Sequence, residues 1–185
     1  HLQTSMLRRV KLPSLKAQLL QRYPMGATVK CLAMYDRPFW RAKGLSGEVG
    51  CTDGPVSAVF DNSPPDGDRG CLVAFVVGAP ARGWSERPES LRKGAVFDAL
   101  GRWMGPEART PLHYHEEDWA LQPYTGGCPV GNPVAGTLSN FGRVLRESVG
   151  PIHFAGTETA AEHTGYMEGA VLSGERAARD VQDSL

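Results

Sequence analysis

The feature that most constrains this chain is the stretch of residues 152–179, which joins an apolar segment, a glycine turn and an amphipathic pattern. Residues 152–154 predict a short strand, and Gly156 and Thr157 follow it in a turn. A helix is predicted to open at about Tyr166. The period of this helix predicts a buried side and a solvated side. The predicted buried residues are Met167, Ala170, Val171 and Ala178, and the predicted solvated residues are Glu168, Glu175, Arg176 and Arg179.

This strand–turn–helix order has two interpretations. A helix N-terminus presents free backbone N–H groups and partial positive charge, which suit an anionic group. Small residues such as Gly165 and Gly169 would let a flat ligand or another backbone come close. The stretch is therefore either a cofactor-facing unit or an ordinary packing unit of a strand and a helix.

Size and charge exclude several classes of protein. The 185 residues suffice for one domain or slightly more, and 20 basic side chains balance 20 acidic ones, which does not favour nucleic acid or an anionic membrane as a partner. No apolar run approaches the roughly 20 residues of a membrane span, and no secretory signal is visible. The four cysteines are widely spaced, without a C-x-x-C pair, which is typical of a reducing cytoplasm.

Upstream of residue 152, the patterns indicate an α+β sheet layer with helices on one face. Alternation in residues 27–36 places Lys30 and Leu32 on one face and Val29 and Cys31 on the other. The apolar run 71–77 predicts a central strand that is covered on both faces. Other predicted strands are 47–51, 56–61 and 112–118, and predicted helices lie in 13–22, 88–104 and 139–145.

Several side chains have both a functional and a structural interpretation. Lys30 in an apolar strand is either a functional ammonium or an edge-strand lysine that reaches water. Two glycines before Cys128 permit close approach to something flat, while the thiol itself could simply be half-buried. His113, His115 and Glu117 would share one strand face, but no fourth ligand has suitable spacing, so no metal site is predicted.

Four motifs resemble the flavin-dependent monoamine oxidase family. They are VKCLAMYDRPFWR, DWALQPYTGGC, NFGRVL and IHFAGTETAAEHTGYMEGAVLSGERAAR, and the resemblance extends from about residue 19 to the end. It implies an FAD-dependent enzyme that oxidises a primary amine to an imine and then an aldehyde, with O2 reduced to H2O2. A polyamine oxidase, an L-amino-acid oxidase and a non-catalytic pseudoenzyme or interaction domain are the alternatives.

The resemblance also implies residue roles. Lys30 would hold a water against the flavin and assist the reaction with O2, Trp119 would lie under the flavin ring, and Tyr166 would form one wall of an aromatic cage. Pro129 stands where the family has the second tyrosine wall, which predicts weaker orientation of the amine. The implied cofactor-binding residues are Tyr124, Gly127, Cys128, Gly156, Thr157 and Met167, and the implied substrate cavity contains Phe60, Phe75 and Pro129. A covalent flavin link through Cys128 is left open.

The chain contains no G-x-G-x-x-G motif for the ADP part of FAD. We therefore expect an α+β substrate-domain sheet with helices, plus the C-terminal strand–helix segment of an α/β FAD-binding domain, incomplete without an N-terminal half. Residues 1–18 would be a tag remnant and the end of an FAD-domain segment, 19–127 the substrate domain, and 128–185 the C-terminal part of the FAD-binding domain. The expected partners are that ADP-binding half as a separate chain, a small amine and O2; a homo-oligomer is compatible with the sequence.

Overall fold

The computed structural model describes residues 10–65 and 67–185. The chain forms two compact units, one combining the residues up to Gly26 with 123–185 and the other comprising 27–122. The tag remnant predicted at the N-terminus falls largely on residues 1–9, outside the described part. The division into a substrate domain and FAD-domain segments stays a prediction about the complete enzyme.

The helices and strands follow the sequence patterns closely. The strands are β1 (Thr28–Tyr35), β2 (Val49–Gly50), β3 (Val56–Asp61), β4 (Gly70–Val77) and β5 (His113–Asp118). The helices are α1 (Ser14–Gln21), α2 (Phe39–Ala42), α3 (Glu89–Met104), α4 (Thr137–Phe141) and α5 (Met167–Gln182). Short 3-10 turns include Trp119–Leu121, Gly142–Val144 and Thr157–Thr159.

The 27–122 unit is built on one antiparallel sheet in the strand order β2-β3-β4-β1-β5. Alternation along β1 buries Val29, Cys31, Ala33 and Tyr35, the four residues that the sequence pattern places on one face. These side chains share a core with α3, which contributes Val96, Ala99, Leu100 and Met104. The predicted α+β sheet with helices is confirmed.

The prediction that β4 is covered on both faces is wrong for the described residues. Leu72, Ala74 and Val76 are buried, but Phe75 is half-buried and Val77 is exposed. The helical layer of this unit covers one face of the sheet, so an unbroken apolar run did not imply two covered faces. The second face carries Lys30, Phe60 and Phe75 instead.

The C-terminal stretch differs from expectation at its start. The predicted strand at 152–154 is absent, and Ile152 forms only an isolated bridge with Val149. A β-strand forms only where the backbone of a neighbouring segment donates and accepts hydrogen bonds along its length. Among the described residues, this segment has only that bridge.

Helix α5 begins at Met167 with Tyr166 at its N-cap, as predicted, but the prediction for its buried side is wrong. Its buried residues are Gly169, Ser173 and Ala177, four residues apart, while Met167 is 87% exposed and Val171 is 56% exposed. Ala170 and Ala178 are exposed too, and Arg176, predicted to be solvated, is half-buried. Small side chains allow the preceding loop to lie directly on the helix, so size and not apolarity selects the packed side.

Lys16 is the principal buried charge of the other unit. Its ammonium donates to the carbonyl oxygens of Val144, Leu145 and Glu147 at 2.6, 2.9 and 2.9 Å. It also lies 3.7 Å from the centroid of the Phe154 ring. Burial lowers the pKa of Lys16 to about 8, so the ammonium is the main form at neutral pH. This lysine joins α1 to the segment that leads into the glycine turn.

Candidate functional site

The open sheet face of the 27–122 unit gathers four of the predicted site residues. Lys30 on β1 stands opposite Phe75 on β4 and Glu117 on β5. Its ammonium lies 5.7 Å from the Phe75 ring centroid and 5.4 Å from the Trp119 ring, distances at which a cation is attracted to an aromatic face. Phe60 meets Phe75 edge to face at 5.8 Å. Lys30, Trp119, Phe60 and Phe75 therefore form one aromatic–cationic surface.

Trp119 is held by the residue before it. The Asp118 carboxylate accepts hydrogen bonds from the backbone N–H of Ala120 at 3.0 Å and from the Ser85 hydroxyl at 2.6 Å. These contacts end β5 and begin the 3-10 turn that contains Trp119. The indole Nε1 of Trp119 is buried and has no acceptor in the described part of the chain. An orphaned buried donor is unusual in a native structure, and it suits a polar group of a ligand.

In the other unit, a short backbone pairing sets the position of Cys128. The N–H of Cys128 donates to the carbonyl oxygen of Gly26, and the N–H of Gly26 donates to that of Val130, both at 2.9 Å. Gly127 is buried with a φ of +153°, and a Cβ there would lie 2.5 Å from the Gly26 oxygen. Cys128 is half-buried, while Pro129 is exposed.

Tyr124 precedes this pairing and is 74% exposed. Its place in the loop gives the ring no packing role within this unit. Tyr124 is therefore exposed, whereas Gly127 of the same motif is buried.

The turn after residue 154 is tied to the start of α5 by a threonine. The Thr157 hydroxyl donates to the carbonyl oxygen of Tyr166 at 2.9 Å and accepts from the N–H of Gly165 at 2.6 Å. Tyr166 is 72% exposed, and no side chain caps the helix at this end. The first N–H groups of α5, including that of Met167, therefore face outward with the partial positive charge of the helix.

Gly156 has a different environment from the one the sequence suggested. Its N–H donates to the Ser173 hydroxyl at 2.9 Å, so this donor is already used inside the unit. Gly156 can still allow close approach, since its φ of +127° and its lack of a side chain leave the turn open.

Glu158 is a site residue that sequence reasoning missed. Its carboxylate accepts a hydrogen bond from the N–H of Gly131 at 2.8 Å and so joins the turn to the Cys128 loop. A Cβ on Gly165 would lie 3.9 Å from the Val130 side chain, which brings the same two loops together. The available signal was an acidic residue directly after a glycine turn.

Comparison with known proteins identifies the family. A family model described as "Flavin containing amine oxidoreductase" matches residues 1–182. The probable flavin-containing monoamine oxidase A of Dictyostelium discoideum is 41% identical over 94% of this chain and 38% of its own length. The flavin-containing amine oxidase A of Bos taurus is 40% identical over 96% of this chain and 34% of its own length.

Solved structures agree with these matches. A putrescine oxidase, wild type bound to putrescine, is 37% identical with a TM-score of 0.87, over 93% of this chain and 38% of that one. Cyclohexylamine oxidase from Brevibacterium oxydans is 37% identical with a TM-score of 0.86, over 94% of this chain and 38% of that one. The chain spans a little over a third of the length of these relatives, and it belongs to the family of flavin-containing amine oxidoreductases.

Proposed function

We propose that this chain is the flavin-ring side of an FAD-dependent amine oxidase. The complete enzyme would convert R-CH2-NH2 and O2 into R-CH=NH and H2O2, and water would then hydrolyse the imine to an aldehyde and ammonia. The observation that carries this proposal is the position of the Lys30 ammonium against Phe75 and Trp119 on an open sheet face. FAD is the cofactor of the family to which the chain belongs.

Each of the two units, taken by itself, carries groups that would suit a flavin. The buried Nε1 of Trp119 offers an unused donor, and the uncapped start of α5 offers backbone N–H groups beside Met167. When bound, the flavin supplies the chemistry of accepting two electrons from the amine and passing them to O2.

The protein side chains would orient the reactants. The ammonium of Lys30 favours negative charge that develops on O2 as it is reduced. Phe60 and Phe75 offer apolar surface to the carbon skeleton of the amine. The exposed ring of Tyr166 provides one flat wall, and Pro129 replaces the tyrosine expected for the other. A single tyrosine wall would orient the amine less strictly and admit a wider range of amines.

The ADP part of the cofactor requires residues that this sequence does not match. The chain covers 34–38% of its relatives and contains no G-x-G-x-x-G motif. We propose that the N-terminal half of the same oxidase, as a separate chain or a joined one, binds the ADP part. The proposal rests on this partial coverage and on the sheet face of the 27–122 unit that no helix of that unit covers.

A substitution at Lys30 tests the oxygen reaction. In the complete oxidase, Lys30→Met should slow the oxygen-dependent half of turnover by about 10²-fold, as for the loss of a charge-stabilising donor. Anaerobic reduction by the amine should change much less. Stopped-flow absorbance measures both steps, and Lys43→Met, which removes an ammonium paired with Glu107, is the control. A complete oxidase with no visible flavin absorbance and no peroxide from any amine would exclude the proposal.

A diamine is the second candidate substrate. The similarity to a putrescine oxidase favours it, as does Pro129 in place of a second aromatic wall. Peroxide production with matched monoamines and diamines of equal carbon number separates the two candidates. A higher kcat/KM for the diamine supports a second ammonium-binding point, and a higher value for the monoamine supports the first candidate.

A further inference from the structure

Two opposite charges face each other on the open sheet face without forming an ion pair. Glu117 on β5 stands directly opposite Lys30 on β1, so the two side chains project from the same face of the sheet. Opposite charges at such a cross-strand position are within reach of each other, and their pairing is ordinarily favourable. In the described part of the chain, however, the Lys30 ammonium makes no ion pair and lies instead against the Phe75 and Trp119 rings.

The Glu117 carboxylate is directed elsewhere by a glutamine. Its Oε1 accepts a hydrogen bond from Gln122 Nε2 at 2.5 Å, and its Oε2 lies 3.7 Å from His115 Nε2. An ionised carboxylate only accepts hydrogen bonds, so the Gln122 amide must present its NH2 group to it. The contact with the exposed His115 is longer than a hydrogen bond, so Gln122 is the residue that directs the carboxylate.

The backbone that follows β5 brings Gln122 to this position. The 3-10 turn Trp119–Leu121 comes directly after the strand, and the Gln122 N–H donates to the Trp119 carbonyl oxygen at 3.3 Å. Pro123 restricts the residue before it to extended backbone, which Gln122 adopts with a φ of −72° and a ψ of 123°. The side chain of Gln122 therefore starts from a fixed backbone and reaches back to the strand.

We propose that Gln122 is a positioning residue that keeps the Glu117 carboxylate away from Lys30. The ammonium of Lys30 thereby stays unneutralised beside its two aromatic rings. Without the Gln122 amide, the carboxylate would lose its hydrogen-bond donor and turn to the cation opposite. An ion pair there would weaken the field of the ammonium toward a reactant on the open face. The inference deepens the proposed function and rests on it, since it requires that Lys30 stabilises the negative charge developing on O2.

The first measurement uses the complete oxidase without its cofactor. Peptide mass spectrometry follows the rate at which trinitrobenzenesulfonate labels Lys30, with the exposed Lys11 as the internal reference. Gln122→Met keeps the length of the side chain but removes its donor. It should slow the labelling of Lys30 by about fivefold, the upper end of the effect of a cross-strand ion pair. Adding Glu117→Gln should restore the rate, because that side chain carries no charge.

The second measurement uses the same variants with flavin bound. Gln122→Met should slow the oxygen-dependent half of turnover by about tenfold, less than the loss expected when the ammonium itself is removed. Anaerobic reduction by the amine should change by less than about twofold, because the ammonium acts on the charge that develops on O2. The double variant with Glu117→Gln should recover the oxygen-dependent rate, and stopped-flow absorbance measures both steps.

Two further variants complete the test. Gln182→Met makes the same change at an exposed position of α5 and should alter neither rate. Gln122→Asn holds the amide one methylene further from the carboxylate, should fall between Gln122→Met and the wild type, and replaces Gln122→Met if that variant does not fold.

The outcomes separate the inference from the proposed function. Unchanged labelling of Lys30 in the Gln122 variants, or slower labelling that Glu117→Gln does not restore, would overturn the inference. Slower labelling of Lys30 with an unchanged oxygen-dependent step would instead uphold the role of Gln122 and overturn the proposed role of Lys30.

Discussion

At the scale of the residue, Asp61 shows how one carboxylate stabilises the end of a strand, β3. Its Oδ2 accepts hydrogen bonds from Trp40 Nε1 at 2.9 Å and from Arg41 Nε at 2.8 Å. Its Oδ1 accepts one from the N–H of Ser63 at 2.9 Å. Burial by itself would raise the pKa of Asp61, but these hydrogen bonds outweigh it and hold the pKa well below its usual range.

This pKa shift predicts an acid-sensitive stability. Because the folded-state pKa of Asp61 is depressed, its contribution is complete above the unfolded pKa of about 4 and is lost as the pH falls further. Asp61→Asn should cost about 2 kcal/mol at pH 7 and make the stability curve flatter below pH 4. Urea unfolding at pH 7 and pH 3 measures both effects.

The matched control is Asp98→Asn, which removes an exposed carboxylate that pairs with Arg109. It should change stability by less than about 1 kcal/mol at either pH. An Asp61→Asn variant as acid-sensitive as the unmutated chain would show that another group governs the transition.

Predictions for single residues were correct where neighbouring residues in the sequence determine the structure. A period of two placed Lys30 and Val29 on opposite faces of β1, because successive strand residues alternate by geometry. Lys16 was not predicted to be functional or structural, since its first acceptor lies 128 residues away in sequence. No pattern in α1 signals a partner at that separation.

At the scale of the element, α5 shows that the packed side of a helix need not be its apolar side. The helix boundaries were predictable from the period and the preceding glycine turn. The buried side was not, because Gly169 and Ser173 pack through small size and a hydroxyl contact, and Met167 remains exposed. A count of apolar residues cannot detect packing by small ones.

Two glycines of α5 provide a matched pair of substitutions. A Cβ on Gly169 would lie 2.3 Å from the carbonyl oxygen of His163, whereas a Cβ on Gly174 would meet nothing within 4 Å. Gly169→Ala should therefore destabilise the chain by about 2 kcal/mol, since the loop backbone must move. Gly174→Ala should stabilise it by up to about 1 kcal/mol through helix propensity.

Thermal or urea unfolding of both variants checks the sign of each change. Opposite signs are the expected result. If both variants gain stability, the loop at His163 is not held against α5 in solution. The close approach of the His163 carbonyl oxygen to Gly169 would then be wrong.

At the scale of the whole molecule, the two units differ in chain continuity. All the core residues of the sheet unit lie within 27–122, a single continuous segment. The other unit needs residues from both ends of the sequence, including Lys16 from α1. No described helix is both long and apolar enough to cross a bilayer.

Because the sheet unit is one continuous segment and the other unit is not, we expect only the sheet unit to fold by itself. Residues 27–122 expressed alone should unfold cooperatively, because the sheet and α3 bring their complete core with them. Residues 123–185 expressed alone should not, because the carbonyl groups of Val144 and Leu145 lose the Lys16 ammonium. Circular dichroism during thermal unfolding compares the pieces, and adding residues 10–26 to the second piece should restore cooperativity.

The outline of the α+β sheet was predictable from periodicity alone, and the division into domains stays a prediction about the complete enzyme. The predicted boundaries near residues 18 and 127 followed the motifs of the family, and the compact units divide at 26 and 122. The boundary of a compact unit depends on which segments pack together. Sequence patterns do not reveal this packing when the N-terminal segment packs with the C-terminal one.

The discontinuous unit has a practical consequence for building chimeric oxidases. The polypeptide enters the sheet unit after Gly26 and leaves it before Pro123, so a segment exchange between relatives needs only two junctions. The first junction must retain Gly26, because a Cβ there would lie 2.5 Å from the carbonyl oxygen of Cys128. A library of exchanged 27–122 segments would therefore vary Lys30, Phe60, Phe75 and Trp119 as a set, against an unchanged α5.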